Sequence, residues 1–240
     1  MQLIPIRKKY KYEKLVRVDG DNGRRYVLEG QDPMPSVTTI LSGTKDQTFL
    51  KEWEERVGKE NAERIRNDAA SVGTHMHSVV ERLLLNRALD PPRTWLQVKG
   101  YRMGYALIEH FFPNVYEVWG AEVPVYYPGK YAGTTDCVAV YNGKPSILDF
   151  KQTNRMKKRE WVEDYFLQLA AYALAHNTVH GTEIDHGVIL MVAQNGEVQE
   201  FVTCGREFQQ YQDQWMQRVE QFQKDGGPSP EQTTVKTPDP

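Results

Sequence analysis

Cysteine is nearly absent from this chain: Cys137 and Cys204 are the two it has in 240 residues. Two are too few for a disulfide scaffold, and without a Cys-x-x-Cys pair a structural zinc site and a four-cysteine iron–sulfur cluster are excluded. Long hydrophobic runs are missing too, and no stretch approaches the roughly 20 apolar residues that cross a bilayer. Residues 1–10 carry Arg7, Lys8 and Lys9 without an apolar core, unlike a secretory signal. Their alternation reads as strand rather than as an amphipathic transit helix, so a cytoplasmic enzyme is expected. Charge of one sign is not in excess either. With 30 Lys and Arg against 32 Asp and Glu the net charge is -2, so any nucleic-acid binding must come from local clusters. What is present, 40% hydrophobic and 26% charged residues, is ordinary for a soluble globular protein of one sizeable domain with a small appendage.

Hydrophobic periodicity divides the chain. Tyr10, Tyr12, Leu15, Val16 and Val18, turn residues 19–23, then Tyr26, Val27 and Leu28 read as a hairpin over 1–30. Its basic rim, Lys8, Lys9, Lys11, Arg24 and Arg25, either protects a solvated edge or touches a substrate. A short helix is expected over 36–41. A longer one starts near 46, with Phe49, Trp53, Val57, Ile65 and Ala69 at helical spacing. His77 and Glu81, four apart, share a helical face, and His75 points elsewhere. Residues 94–112 form another helix, with Trp95, Val98, Met103, Leu107, Phe111 and Phe112 inward. Strands follow at 115–118 and 121–127, then a hairpin, a helix over 161–176, strands at 187–192 and 198–203, and a helix over 208–224. Residues 226–240, rich in Gly, Pro, Ser and Thr, cannot bury a core and read as a disordered tail. Residues 31–225 thus form one α/β domain, a mixed central sheet flanked by helices behind a helical N-terminal region.

The chemistry concentrates between Gly133 and Tyr172. Asp136 closes Gly133-Thr134-Thr135-Asp136 and opens the apolar run 137–141. Asn142-Gly143 is a strong signal for a tight hairpin turn, and residues 146–151 return beside the first strand. Asp149 and Lys151, two apart, leave the same face of the sheet. The hairpin brings Asp136 alongside Asp149, so two carboxylates and a lysine converge at one sheet end. Without a cation the carboxylates would repel and one would take up a proton; a hard divalent ion such as Mg2+ removes the conflict by accepting oxygen ligands from both. The same residues equally describe a buried Asp149–Lys151 ion pair with Asp136 as a cap. Lys157, Lys158 and Arg159 follow, either holding backbone phosphates or forming a solvated helix start. Trp161, Tyr165 and Tyr131 are aromatic side chains for base stacking or for the core.

Gly133-Thr134-Thr135-Asp136, Asp149-Phe150-Lys151 and Gln168-Leu169-Ala170-Ala171-Tyr172 together resemble the PD-(D/E)xK nuclease superfamily in its RecB-like branch. Upstream, Gly73-Thr74-His75-Met76-His77 with Glu81 is similar to that branch's leading histidine motif. Residues 35–41 and Trp53-Glu54-Glu55-Arg56-Val57-Gly58 add a closer likeness to mitochondrial genome maintenance exonucleases and related phage exonucleases. The resemblance implies a restriction-endonuclease-like sheet. It also implies metal ligands at Asp136, Asp149, the Phe150 carbonyl and His77, with Glu122 reaching the metal through water and Lys151 as the catalytic lysine. Gln168 and Tyr172 would contact the nucleic-acid backbone and buttress the site. Thr135 stands where the superfamily name has proline, a departure common in the branch.

The activity implied is a Mg2+-dependent DNA exonuclease, with Mn2+ substituting, that prefers single strands or free ends. Its setting would be replication or recombination in a bacterial or phage-infected cytoplasm, beside proteins of those processes. A double-strand exonuclease, a structure-specific endonuclease and a DNA-binding protein of nuclease fold are the alternatives.

Overall fold

The computed structural model describes residues 4–20 and 23–226. The tail expected over 226–240 falls, apart from Gly226, outside the described residues, as do residues 21 and 22 of the expected N-terminal turn. A five-stranded sheet forms the centre. Its order is β4 (Val115–Tyr127), β5 (Tyr131–Tyr141), β6 (Lys144–Thr153), β7 (His186–Ala193) and β8 (Val198–Cys204). All neighbours are antiparallel except β6 and β7. A parallel pair needs a crossover, which α5 (Glu163–His180) supplies. β7 is buried along its whole length, as its unbroken apolar run requires of a strand covered on both faces. The expected mixed sheet flanked by helices is therefore borne out.

Strand alternation sorts the core into two layers. Val138, Ile147, Ile189 and Met191 face α5, α1 (Val37–Gly43) and α6 (Gly205–Lys224). Cys137, Ala139, Leu148 and Leu190 face α3 (Lys59–Leu84) and α4 (Trp95–Phe111). The turn between β5 and β6 is made by Asn142 and Gly143, both at positive φ (49° and 79°), the backbone a two-residue hairpin demands. A second small sheet, β1 (Val16–Gly20), β2 (Gly23–Val27) and β3 (Met34–Pro35), packs on β5 through Tyr26, Met34 and Ala132.

Several expectations change. Tyr10 and Tyr12 do not continue the hairpin. They pack against His176 and His180 of α5, and the Tyr12 hydroxyl lies 3.2 Å from His176 Nε2. The helix expected from residue 46 breaks at Gly58 (φ 84°), separating α2 (Thr48–Val57) from α3. None of Phe49, Trp53, Val57, Ile65 or Ala69 is buried, and Phe49 is 76% exposed. Periodicity marks an amphipathic helix but does not say that anything covers it, and this stretch lies outside the sheet layers. Trp95 is 70% exposed because the inward line of α4 runs through Leu96, Gly100, Met103, Gly104 and Leu107 instead. The two strands expected over 115–127 are one strand carrying bulges. The helix expected from 161 begins at Glu163, after a 3-10 turn, and ends at Gly181 in the left-handed conformation. Among the described residues no helix is long and apolar enough to cross a membrane.

Candidate active site

The β5–β6 ladder ends at Cys137 opposite Leu148. One step further the strands part, and the Asp136 side chain takes the place of a backbone partner: its Oδ2 accepts from the Phe150 N–H at 2.7 Å. N–H and C=O of a strand residue leave the same edge, so the Phe150 carbonyl faces the same gap. Across β4, the pairs Ala121–Cys137 and Val123–Thr135 set Glu122 opposite Asp136. Glu122, Asp136 and Asp149 therefore form a row across three adjacent strands. Glu122 adopts φ 50°, a left-handed conformation uncommon for a glutamate and of the kind that clusters at functional sites.

His77 reaches this row from α3. Its Nδ1 lies 3.5 Å from Asp136 Oδ2 and 3.7 Å from Glu122 Oε1. Glycine places that helix. A Cβ on Gly100 would stand 2.6 Å from the Val72 carbonyl, and one on Gly104 2.8 Å from Val79 Cγ1, so α4 approaches α3 at a distance that only glycine allows. Burial pushes the imidazole down, but Asp136 and Glu122 outweigh it and raise His77 to about 9. Ligand atoms of His77, Glu122 and Asp136 all lie within 4.8 Å of one another. Two carboxylates and an imidazole suit a hard or borderline divalent ion, and Cys137 is buried among α3- and α4-facing residues. The residues present fit such an ion.

Asp149 is 1% exposed and belongs to Lys151: Nζ donates to Oδ1 at 2.8 Å and lies 2.7 Å from Oδ2, which receives no directed hydrogen bond. Burial pushes the Asp149 carboxyl up to about 6 against the pull of Lys151. Burial alone would lower Lys151, but Asp149 and Asp136 outweigh it and hold the ammonium up. Nζ also donates to Gln168 Oε1 at 3.1 Å, and Gln168 Nε2 donates to the Tyr172 hydroxyl at 3.0 Å. The Tyr165 ring lies under the same Nζ at 4.9 Å, so it serves the lysine. Gly133 makes room for Tyr172, whose Cε1 is 2.7 Å from where a Cβ would stand.

A cleft of about 970 Å³ opens over this floor, between α3 and the β1–β2 hairpin. The buried ion pair and the Asp136 cap, one of the two sequence readings, coexist with the three-residue cluster: Asp149 pairs with Lys151, and Asp136 joins His77 and Glu122. The side chains whose ligand atoms gather are thus His77, Glu122 and Asp136, while Asp149 is engaged by Lys151. Lys157, Lys158 and Arg159 do not line the cleft. Arg159 is spent on both oxygens of Glu207 and on the Val202 carbonyl, the Lys157 backbone pairs with Gln199, and Lys158 lies near Glu160 and Trp161. Tyr131 is core, its hydroxyl donating to the Ala171 carbonyl, and Trp161 is exposed away from the cleft. Glu81 lines the cleft but pairs with Arg87, 3.6 Å away, and His75 lines a separate pocket behind α3. Arg17, Tyr26 and Gln152, also on the cleft walls, carry no motif, since the fold alone brings them there.

No family model matches the chain. Across 79% of its length it is 28% identical to mitochondrial genome maintenance exonuclease 1 of Homo sapiens. The protein of that name from Xenopus tropicalis is 27% identical over 80% of this chain. Each match covers 58% of the relative, so the chain spans about three fifths of the length of the curated relatives it matches. The crystal structure of a candidate exonuclease from Eubacterium rectale aligns with 72% of this chain and 77% of its own, at 14% identity and a TM-score of 0.46. The likeness expected from the motifs is borne out: mitochondrial genome maintenance exonuclease 1 is a homologue of this chain.

Proposed function

We propose that the protein is a divalent-metal-dependent nuclease that hydrolyses DNA phosphodiester bonds as an exonuclease, preferring single strands or free ends. The observation that carries this reading is the row of Glu122, Asp136 and Asp149 across three strands, with His77 and Asp136 facing the cleft and Lys151 paired with Asp149 beneath it. The likeness to exonucleases along four fifths of the chain supports it. His77, Glu122 and Asp136, with the Phe150 carbonyl edge, would hold Mg2+, and Mn2+ would substitute. Such an ion supplies Lewis-acid activation of a water and neutralises charge on the leaving oxygen.

The chain's own groups divide the remaining work. Asp149 and Asp136 favour the ammonium form of Lys151, which suits it to stabilise negative charge developing on the phosphate. Asp149 and Gln168 fix its position from two sides, and Tyr172 fixes Gln168. Asp136 links the metal cluster to the lysine strand through the Phe150 N–H. A place in DNA replication or recombination, beside proteins of those processes, follows from the resemblance.

Digestion of end-labelled DNA, single- and double-stranded, linear and closed-circular, tests the reading. Linear strands should shorten from an end in Mg2+, closed circles should survive, and EDTA should stop the reaction. Cutting of closed circles would turn the reading to an endonuclease. Binding without cleavage by the unaltered chain would leave a DNA-binding protein. Lys151→Ala should bind and not cleave.

A further inference from the structure

The cleft floor is acidic, and a DNA strand laid on it brings several phosphates besides the one being cut. Cations on the walls must meet those phosphates, and the Lys157–Arg159 cluster lies outside the cleft. The basic side chains on its walls belong to the N-terminal hairpin: Arg17 of β1 and Arg24 of β2. The register pairs Asp19 with Arg24 and Arg17 with Tyr26. With the alternation of each strand, Leu15, Arg17, Asp19, Arg24 and Tyr26 share one hairpin face, and Leu15, Arg17, Arg24 and Tyr26 line the cleft.

This face is organised and anchored. Asp19 Oδ2 accepts from Arg17 Nε at 2.9 Å, and its Oδ1 accepts from Arg17 Nη2 at 3.2 Å and Arg24 Nε at 3.1 Å. One carboxylate therefore holds two guanidiniums, with one positive charge in excess. Arg24 uses Nε for this, which leaves its Nη pair outside the bond, a fork that matches a phosphate. The Arg24 backbone is held as well, its carbonyl accepting from the Ser36 N–H and the Thr39 hydroxyl, both at 2.9 Å. Gly23 permits that approach, since a Cβ there would stand 2.6 Å from Thr39 Cγ2. The Tyr26 hydroxyl lies 3.2 Å from Thr134 Oγ1, two residues before Asp136, and so ties the hairpin to the strand that carries the floor.

We propose that Arg24 and Arg17 form a phosphate-binding wall that grips the sugar–phosphate backbone of the DNA strand crossing the cleft, with Asp19 as their positioning residue. The inference rests on the nuclease reading above and adds where the substrate backbone is held. Pre-positioned guanidiniums lose little freedom on binding, which is what gives an exposed pair useful affinity. Contacts to phosphates carry no sequence information, so the wall serves any sequence.

The test is fluorescence anisotropy of a short fluorescein-labelled oligothymidylate with the full chain in Ca2+, titrated across NaCl concentrations. Arg17→Gln/Arg24→Gln should raise Kd about tenfold or more, because charge-assisted contacts are the strong ones. It should also flatten the slope of log affinity against log salt by about 1.4, two phosphate contacts at about 0.7 each on a single strand. In Mg2+ the same variant should raise KM and spare kcat. Asp19→Asn separates position from charge: it removes a negative charge, yet binding should weaken because the guanidiniums lose their common anchor. Both substitutions change exposed side chains and leave the anchoring backbone bonds intact, and circular dichroism verifies folding. A folded Arg17→Gln/Arg24→Gln variant with unchanged Kd and salt slope overturns the proposal. So does a greater loss from Lys157→Gln/Lys158→Gln, which would move the phosphate path out of the cleft. If the unaltered chain binds no DNA, the nuclease reading fails first and takes the wall with it.

Discussion

Replacing Lys151 with methionine should do two separable things, because the lysine serves both the chemistry and the stability of a buried carboxylate. Nζ stands 2.7 Å from Asp149 Oδ2, and the two side chains are 20% and 2% exposed. At an effective dielectric of about 20, unit charges at that distance attract by roughly 6 kcal/mol. Desolvation of both groups consumes much of this, and breaking a buried pair from one side costs about 3–5 kcal/mol. Lys151→Met should fall in that range, since it leaves Asp149 buried, close to Asp136, and without its hydrogen-bonded cation. Asp149→Asn in the same chain removes the stranded charge and should recover at least about 2 kcal/mol, while DNA cleavage remains lost in both. The assay is urea unfolding of the four members of the double-mutant cycle at pH 7 in EDTA, with cleavage measured in parallel. Additive losses, with a coupling below about 0.5 kcal/mol, would refute the reasoning. They would mean that the pair seen between β6 side chains carries no energy.

His176 is fully buried, and burial, with His180 beside it, pushes its pKa down to about 3. A histidine lowered on folding lends stability that is complete above its unfolded value near 6.5 and is lost as pH falls toward 3. Unfolding free energies from urea titration should therefore fall below pH 6.5 with a slope of about 1.4 kcal/mol per pH unit, and His176→Gln should flatten that slope. Gly100→Ala should destabilise the chain by about 1–3 kcal/mol, because its Cβ meets the Val72 carbonyl and not a yielding side chain. By displacing α3 it should also lower Mg2+-supported cleavage more than ten-fold, roughly what misplacing a site residue costs. Thermal melts should rise in Mg2+, by about 2.7 kcal/mol at a hundredfold excess over Kd, and return in EDTA. Asp136→Asn should abolish that shift, and identical melts with and without Mg2+ in the unaltered chain would remove the metal from the site.

The site hairpin was legible because its determinants are local. Asn142-Gly143 sets the turn, the turn sets the register, and the register puts Asp136 beside Asp149 where the β5–β6 pairing ends. The Gln168–Tyr172 spacing was legible for the same reason, since residues four apart on a helix meet. The Lys157–Arg159 cluster shows the limit. Three consecutive basic residues announce positive charge, but Glu207, 48 residues onward, claims the guanidinium of Arg159. The stripe from Phe49 to Ala69 shows another limit, for helical spacing is the same whether or not a partner layer covers it.

The sequence by itself determined the alternation of helices and strands, the two-layered core around a mixed sheet, and the order of the acidic and basic residues along β5, β6 and α5. These follow from periods of two and 3.6 and from turn chemistry, which act over a few residues. Only the tertiary structure decided which side chains line the cleft. Glu122 enters through a left-handed residue on a bulged strand, and His77 enters because two glycines of α4 let α3 come close. Arg17 and Arg24 enter because the first hairpin is tied to β5 more than a hundred residues away. Such placements depend on contacts between segments remote in the chain, which no local pattern encodes.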